Sequence, residues 1–97
     1  MATPERFTRE MACTEAEWLR WLPAAIGEHS WVLHPGAADV SLGTGRLSLR
    51  WQEGPARRIA LLHLPTLLVA FGFESVAEAE RARFMKRFDL YTHRGGG

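Results

Sequence analysis

The most apolar part of this 97-residue chain is residues 57–74, with the sequence RRIALLHLPTLLVAFGFE. Pro65 fixes its own φ angle and lacks an amide hydrogen, so it suits a tight turn better than the middle of a strand ladder. We therefore predict a central hairpin of two antiparallel strands that turns at residues 64–67 and places Leu62 opposite Val69. A helix over residues 56–64 is the competing interpretation, because alanine and leucine favour helices.

Both faces of this predicted hairpin are apolar. A sheet with one solvated face would show a cleaner alternation of apolar and polar residues. We therefore expect that helices cover both faces or that a second copy of the chain covers one of them. The face that carries Ile59, Leu61 and Leu68 is the predicted self-association surface.

Two patterns of helix capping flank the predicted sheet. Thr14 and Glu17 have the spacing of a capping box, which predicts a helix with an interruption at Pro23 and an end at Gly27. The segment 75–78 repeats the capping-box spacing and predicts a C-terminal helix. Apolar residues recur along that helix at helical spacing, so it should pack on the sheet.

The segments between the helices read as short strands. Residues 30–34 and 39–42 predict two of them, and the glycines of segment 43–45 predict a hairpin loop. Leu47, Leu49 and Trp51 alternate with polar residues, as in a strand with one solvated face.

Together these elements predict an α+β fold with an N-terminal helix, a four- to five-stranded antiparallel sheet and a C-terminal helix packed on the sheet. We expect one domain over residues 1–97, in which residues 1–12 and the glycines 95–97 are flexible.

Composition narrows the cellular setting. No apolar run approaches the roughly 20 residues that span a bilayer, and the polar N-terminus does not resemble a signal peptide. The single cysteine cannot form an internal disulfide, which is typical of a reducing cytoplasm. Lys86 is the only lysine beside many arginines, a bias compatible with a GC-rich bacterial genome. We therefore predict a cytoplasmic bacterial protein with no membrane contact.

Arginine supplies the predicted anion or partner contact. Arg46 and Arg50 share the polar face of one predicted strand, and Arg57 and Arg58 begin the next. If those two strands pair, the guanidinium groups converge near one sheet edge, where they could hold a carboxylate or phosphate group. The alternative is a solvated face whose charges discourage aggregation through the sheet edge.

No catalytic residue, metal or cofactor is predicted. The histidines do not have the spacings of zinc sites; they are His29, His34, His63 and His93. Cys13 precedes a helix N-terminus, but Glu15 and Glu17 beside it oppose thiolate formation. The glycines of segment 43–45 lack the lysine of a phosphate-binding loop.

The segments RRIALLHLP (57–65) and RFMKRFDLYTHRGGG (83–97) resemble part of a family of small, uncharacterised bacterial proteins. That family has no established activity, so the resemblance implies no site residue. The order helix, strands, helix is also similar to that of double-stranded RNA-binding domains. However, the second helix opens with acidic residues where such a domain would have a basic cluster for phosphates.

The sequence thus predicts a non-enzymatic protein-interaction or scaffolding module, with another copy of itself or another protein as its partner. The alternative is a binder of an anionic ligand, either a small molecule or RNA. Acidic residues interleave with the basic ones in the last helix, so nucleic acid is not the favoured partner.

Overall fold

The computed structural model describes residues 2–92 of the chain. Its elements are β1 (Arg6–Met11), α1 (Glu15–Ile26), β2 (Trp31–His34), β3 (Ala37–Leu42), β4 (Gly45–Glu53), β5 (Arg57–Ile59), β6 (Leu62–Leu64), β7 (Leu67–Glu74) and α2 (Glu78–Thr92). Five strands form an antiparallel sheet in the order β1-β7-β4-β3-β2, and β5 and β6 form a separate hairpin. The predicted α+β class, with an N-terminal helix, a C-terminal helix and an antiparallel sheet, is confirmed.

Both helices pack on the same face of the sheet. Trp18 of α1 meets Trp51 of β4 edge to face, with ring centroids 5.6 Å apart. Phe88 of α2 meets Phe71 of β7 in the same way at 5.6 Å, and it also contacts Trp18. Side chains on this face alternate with those on the other, as strand geometry requires. The core therefore lies on one side of the sheet only.

We call the other side the open face, because neither helix covers it. The residues on this face are Arg6, Thr8 and Glu10 of β1; Leu68, Ala70, Gly72 and Glu74 of β7; Arg46, Ser48, Arg50 and Gln52 of β4; Ala37, Asp39 and Ser41 of β3; and Val32 and His34 of β2. The expectation that helices or a second molecule must cover both faces of an apolar central ribbon does not hold for this sheet, because its open face is mixed in polarity.

The start of α1 has the predicted capping box. The Thr14 hydroxyl accepts a hydrogen bond from the Glu17 amide at 3.1 Å, and the Glu17 carboxylate accepts one from the Thr14 amide at 2.9 Å. The helix does not restart at Pro23 but continues as one element, because Leu22 and Ile26 on either side are fully buried. It ends before Gly27, as predicted, where φ is +74°.

The second predicted capping box is wrong. Ser75 has a φ of +56°, whereas a capping residue has an extended backbone, and α2 begins three residues later at Glu78. The link before α2 instead passes very close to Gly45. A Cβ atom on Gly45 would lie 2.3 Å from the Ser75 carbonyl oxygen, so the tight fit between these two backbones sets the conformation there.

The predicted hairpin at Pro65 is also wrong, as is the alternative helix over residues 56–64. β5 pairs with β6, so that Ile59 lies opposite Leu62, and the turn is formed by Ala60 and Leu61. β7 pairs instead with β1 and β4, which places Val69 between Arg9 and Trp51 rather than opposite Leu62. Burial of the alternating apolar residues of β7 in the core outweighs the local turn signal of proline.

Residues 1–12 are not wholly the flexible lead-in that the sequence predicts. Arg6–Met11 forms β1 at the edge of the sheet, and Phe7 stacks on Phe71 of β7 with ring centroids 4.6 Å apart. Met11 is buried in the core. These two apolar side chains hold the strand against β7 despite its polar composition. The predicted flexible glycines 95–97 lie outside the described residues.

Candidate functional site

Within residues 2–92, the most exposed large apolar side chain is Leu61, and it lies with other exposed apolar residues in the hairpin of β5 and β6, which we call the arm (residues 57–64). The exposed fraction is 97% for Leu61, 62% for Leu62 and 58% for Ile59. The strand register places Ile59, Leu62 and Leu64 on one side of the arm, and Arg57 lies on the same side at the base. Arg58 pairs with a histidine, His63, on the opposite side. The arm is therefore amphipathic, and its apolar side is open to solvent.

Polar contacts fix the base of the arm. The Thr66 hydroxyl donates to the Pro55 carbonyl oxygen at 2.8 Å, and the Gly54 amide donates to the Thr66 carbonyl oxygen at 3.0 Å. Arg57 donates through Nε to the Glu10 carboxylate of β1 at 2.7 Å. The Arg57 guanidinium is thus engaged within the chain.

The three residues of the predicted self-association surface do not lie on one strand pair. Ile59 and Leu61 are on the arm, whereas Leu68 lies half-buried on the open face of β7. Leu62, which the predicted hairpin places opposite Val69, lies with Leu64 on the same side as Ile59. The difference follows from the turn at Ala60, which reverses the chain five residues earlier than Pro65 would.

The four arginines of the predicted anion contact fall into two groups. Arg46 and Arg50 lie on the open face of β4, and Arg57 and Arg58 lie on the arm. Their convergence required β4 to pair with the strand that begins at Arg57. β4 pairs instead with β3 and β7, so the structure does not bring the two groups together.

Arg46 and Arg50 share a concavity with a third arginine, Arg6 of β1. The concavity has a volume of about 550 Å³. Its other lining residues include Gly72 of β7, which lies between Arg6 of β1 and Ser48 of β4. Arg6 is not among the predicted site residues, because the sequence does not predict β1, although Phe7 and Met11 alternate with polar residues there.

Charge in this concavity is only partly compensated. Arg46 donates to the Glu74 carboxylate through two nitrogens, at 3.1 and 3.3 Å. Within residues 2–92, neither Arg6 nor Arg50 has a hydrogen-bond or ion-pair partner for its guanidinium group. Three positive charges therefore face one carboxylate at the rim, that of Glu74.

A second concavity of about 480 Å³ adjoins the first on the open face. The two share Thr8, Arg50 and Ala70, and the second also includes Leu68. The open face therefore has a basic region that continues into a more apolar one.

Cys13 is not a nucleophile at neutral pH. Its side chain is buried, and burial together with the nearby Glu17 carboxylate raises the pKa of the thiol from 9.0 to about 11. The thiol therefore stays protonated. In the described part of the chain, no group of three or more histidine, cysteine, aspartate or glutamate residues is placed to hold a metal ion. Neither of the two helices in residues 2–92 is long and apolar enough to cross a membrane.

The chain matches no protein-family model, and comparisons with curated proteins and with solved structures give no significant match. The resemblance to small bacterial proteins stays a prediction. The geometry of the chain is therefore the basis for inferring its function.

Proposed function

We propose that the chain is a non-enzymatic protein-interaction module that forms a homodimer through the apolar side of its arm. The observation that carries this proposal is the exposure of Leu61, Leu62 and Ile59 on one small hairpin. Contiguous exposed apolar residues of this kind are typical of interaction sites.

The construction of the arm supports the need for a partner. A two-stranded hairpin is at best marginally stable alone in water, because it cannot bury an apolar face of its own. All eight residues of the arm are exposed, so the rest of the chain contributes little packing to it. A partner that covers Ile59, Leu62 and Leu64 would remove that deficit.

A second copy of the chain suits this surface because the apolar side of the arm can face its own image across a twofold axis. Like charges would not meet at the centre of such an interface. Arg58 and His63 point to the other side, and the charge of Arg57 is compensated by Glu10. The same apolar side chains would then be removed from water on both copies.

The free energy gained by burying these side chains, set against the cost of association, favours a reversible dimer. Full burial of a leucine or isoleucine side chain contributes roughly 1.5–3 kcal/mol. Ile59 and Leu62 are already partly buried, so burial of the exposed parts of Ile59, Leu61 and Leu62 on both copies would contribute roughly 6–13 kcal/mol. Association costs roughly 4–15 kcal/mol in lost freedom of motion. The two free energies are of similar size, so we expect a weak dimer that forms at high micromolar concentrations of the chain.

We also propose a cytoplasmic location and a bacterial source for the chain. The single cysteine, which has no partner for an internal disulfide, supports the reducing compartment. The arginine-rich, lysine-poor composition supports the bacterial source.

Sedimentation velocity across the micromolar range tests the homodimer. We expect a monomer–dimer equilibrium for the wild-type chain and a dimer at least about tenfold weaker for Leu62→Glu. Leu90→Glu is the matched control, since Leu90 of α2 is 64% exposed and Leu62 is 62% exposed. That variant should dimerise like the wild type.

Two results would contradict the proposal. One is a wild-type chain that stays monomeric throughout the micromolar range. The other is a dimer that Leu90→Glu dissociates and Leu62→Glu does not, which would place the interface on α2. Because both leucines are exposed, neither substitution should disturb the core.

A further inference from the structure

Gly72 lies inside the five-stranded sheet, where neither backbone nor packing requires glycine. Its φ is outside the left-handed region, and the only atom within 4 Å of an added Cβ would be the Ser48 Cβ, at 3.9 Å. Glycine weakens a strand interior and often marks a place where a ligand approaches the backbone closely. Because glycine has no side chain, the surface of the open face is recessed at Gly72. Arg6 and Ser48 flank this recess on the two neighbouring strands.

The charges around Gly72 favour the binding of an anion. Arg6 lies beside Gly72 on β1, and Arg50 lies one step along the sheet, opposite Ala70. Neither guanidinium has a partner within residues 2–92, so both can donate paired hydrogen bonds to a carboxylate or phosphate group. The acidic groups nearby are already engaged. Glu74 accepts from Arg46, and Asp39 accepts from the Ser48 hydroxyl at 3.2 Å and lies 3.4 Å from the His34 ring.

The second concavity indicates the chemical character of the rest of the ligand. It continues from Ala70 to Leu68, whose side chain is only half-buried. Gly72 and Leu68 are four residues apart on one strand, which corresponds to roughly 13 Å. The combined size of the two concavities suits a small organic molecule.

We propose that the open face binds a small organic anion with an apolar tail. Its carboxylate or phosphate group lies over Gly72 between Arg6 and Arg50, and its apolar part lies over Ala70 toward Leu68. The proposed anion contacts and the dimer surface use different side chains, although Glu10 at the second concavity is paired with Arg57 of the arm.

Isothermal titration calorimetry with four probes tests the assignment. Octanoate and octyl phosphate carry the two possible acidic groups on alkyl tails of seven and eight carbons, 1-octanol lacks the charge, and inorganic phosphate lacks the tail. We expect octanoate, octyl phosphate or both to bind more tightly than 1-octanol and inorganic phosphate. The preference between the first two identifies the acidic group. Added salt should weaken the binding.

Matched variants locate the binding. Arg6→Gln and Arg50→Gln should each weaken it at least about tenfold, because each removes hydrogen bonds to a charged group. Arg58→Gln removes the same charge from the polar side of the arm and should leave the affinity unchanged. Gly72→Ala should weaken binding without lowering the stability of the unliganded protein. A purely structural role for Gly72 does not predict that combination.

Three outcomes would overturn the proposal. The first is no binding of either amphipathic anion. The second is an equal loss of affinity in Arg58→Gln and Arg50→Gln, which would indicate unspecific attraction by net charge. The third is binding of a single-stranded RNA oligonucleotide but of neither amphipathic anion, which would assign the arginines to nucleic acid.

Discussion

Arg9 of β1 and Asp89 of α2, 80 residues apart in the sequence, form a two-pronged ion pair that joins the first strand to the last helix. Both guanidinium nitrogens Nη1 and Nη2 donate to the carboxylate, the second at 3.3 Å. The Arg9 guanidinium also lies 5.5 Å from the Phe7 ring centroid and 5.6 Å from that of Phe71. One side chain thus combines an ion pair with cation–π contacts.

Removal of this side chain should destabilise the fold. We expect Arg9→Ala to lower the free energy of unfolding by about 1–2 kcal/mol, because it loses charge-assisted hydrogen bonds and the packing of the arginine stem. Arg83→Ala, at an exposed position of α2, should change it by less than about 0.5 kcal/mol. Urea denaturation measures both, and equal effects would contradict a special role for Arg9.

The close approach of Gly45 to the link before α2 gives a second prediction. A Cβ atom there would lie 2.3 Å from the Ser75 carbonyl oxygen and 2.4 Å from that of Glu74, and backbone atoms cannot move aside cheaply. Gly45→Ala should therefore cost about 1–3 kcal/mol of stability. Gly72→Ala is the control and should instead stabilise the chain by about 0.5–1 kcal/mol. Thermal unfolding compares the two, and a neutral Gly45→Ala would contradict the close approach.

The arm should be dispensable for folding. Replacement of residues 57–64 by a short glycine–serine linker removes only exposed residues and the exposed Arg57–Glu10 pair, which contributes less than about 1 kcal/mol. We expect a folded monomer with slow amide exchange in β4 and β7. The same replacement of residues 6–11 should unfold the chain, because Met11 and Phe7 belong to the core. Loss of amide protection in the arm variant would show that the arm supports the sheet.

Cys13 gives a prediction about pH. The folded-state pKa of the thiol is raised from 9.0 to about 11, so between these values the unfolded chain releases a proton that the folded chain keeps. Stability from this group is therefore complete below pH 9 and is lost as the pH rises toward 11. The stability of the wild type relative to Cys13→Ala should fall across that range. A constant difference would contradict the raised pKa.

The sequence correctly predicts those features of the fold that depend on contacts between near neighbours. The capping box of Thr14 and Glu17 and the alternation of Leu47, Leu49 and Trp51 depend on near neighbours, and both are found in the structure. The sequence does not predict β1, because Arg9 occupies a core-facing position, where the distant Asp89 compensates its charge.

The sequence does not predict the arm, for a related reason. Its turn uses Ala60, with φ at +55°, and Leu61, neither of which is a usual turn residue, whereas Pro65 gives a strong turn signal. The partners of β7 are β1 and β4, which are distant in sequence, so no local pattern identifies them. Of the three arginines in the candidate anion site, the sequence predicts Arg46 and Arg50, because they lie on a recognisable strand. It does not predict Arg6, because the sequence pattern of β1 is not recognisable as a strand.

The packing of both helices on one side of the sheet has a consequence for protein engineering. Every second residue of β1, β4 and β7 lies on the open face and can be exchanged without repacking the interior. Strands hold side chains more rigidly than loops do, which favours accurate placement of introduced functional groups. The open face could therefore be randomised as a library surface, from which new binding specificities are selected on an unchanged interior.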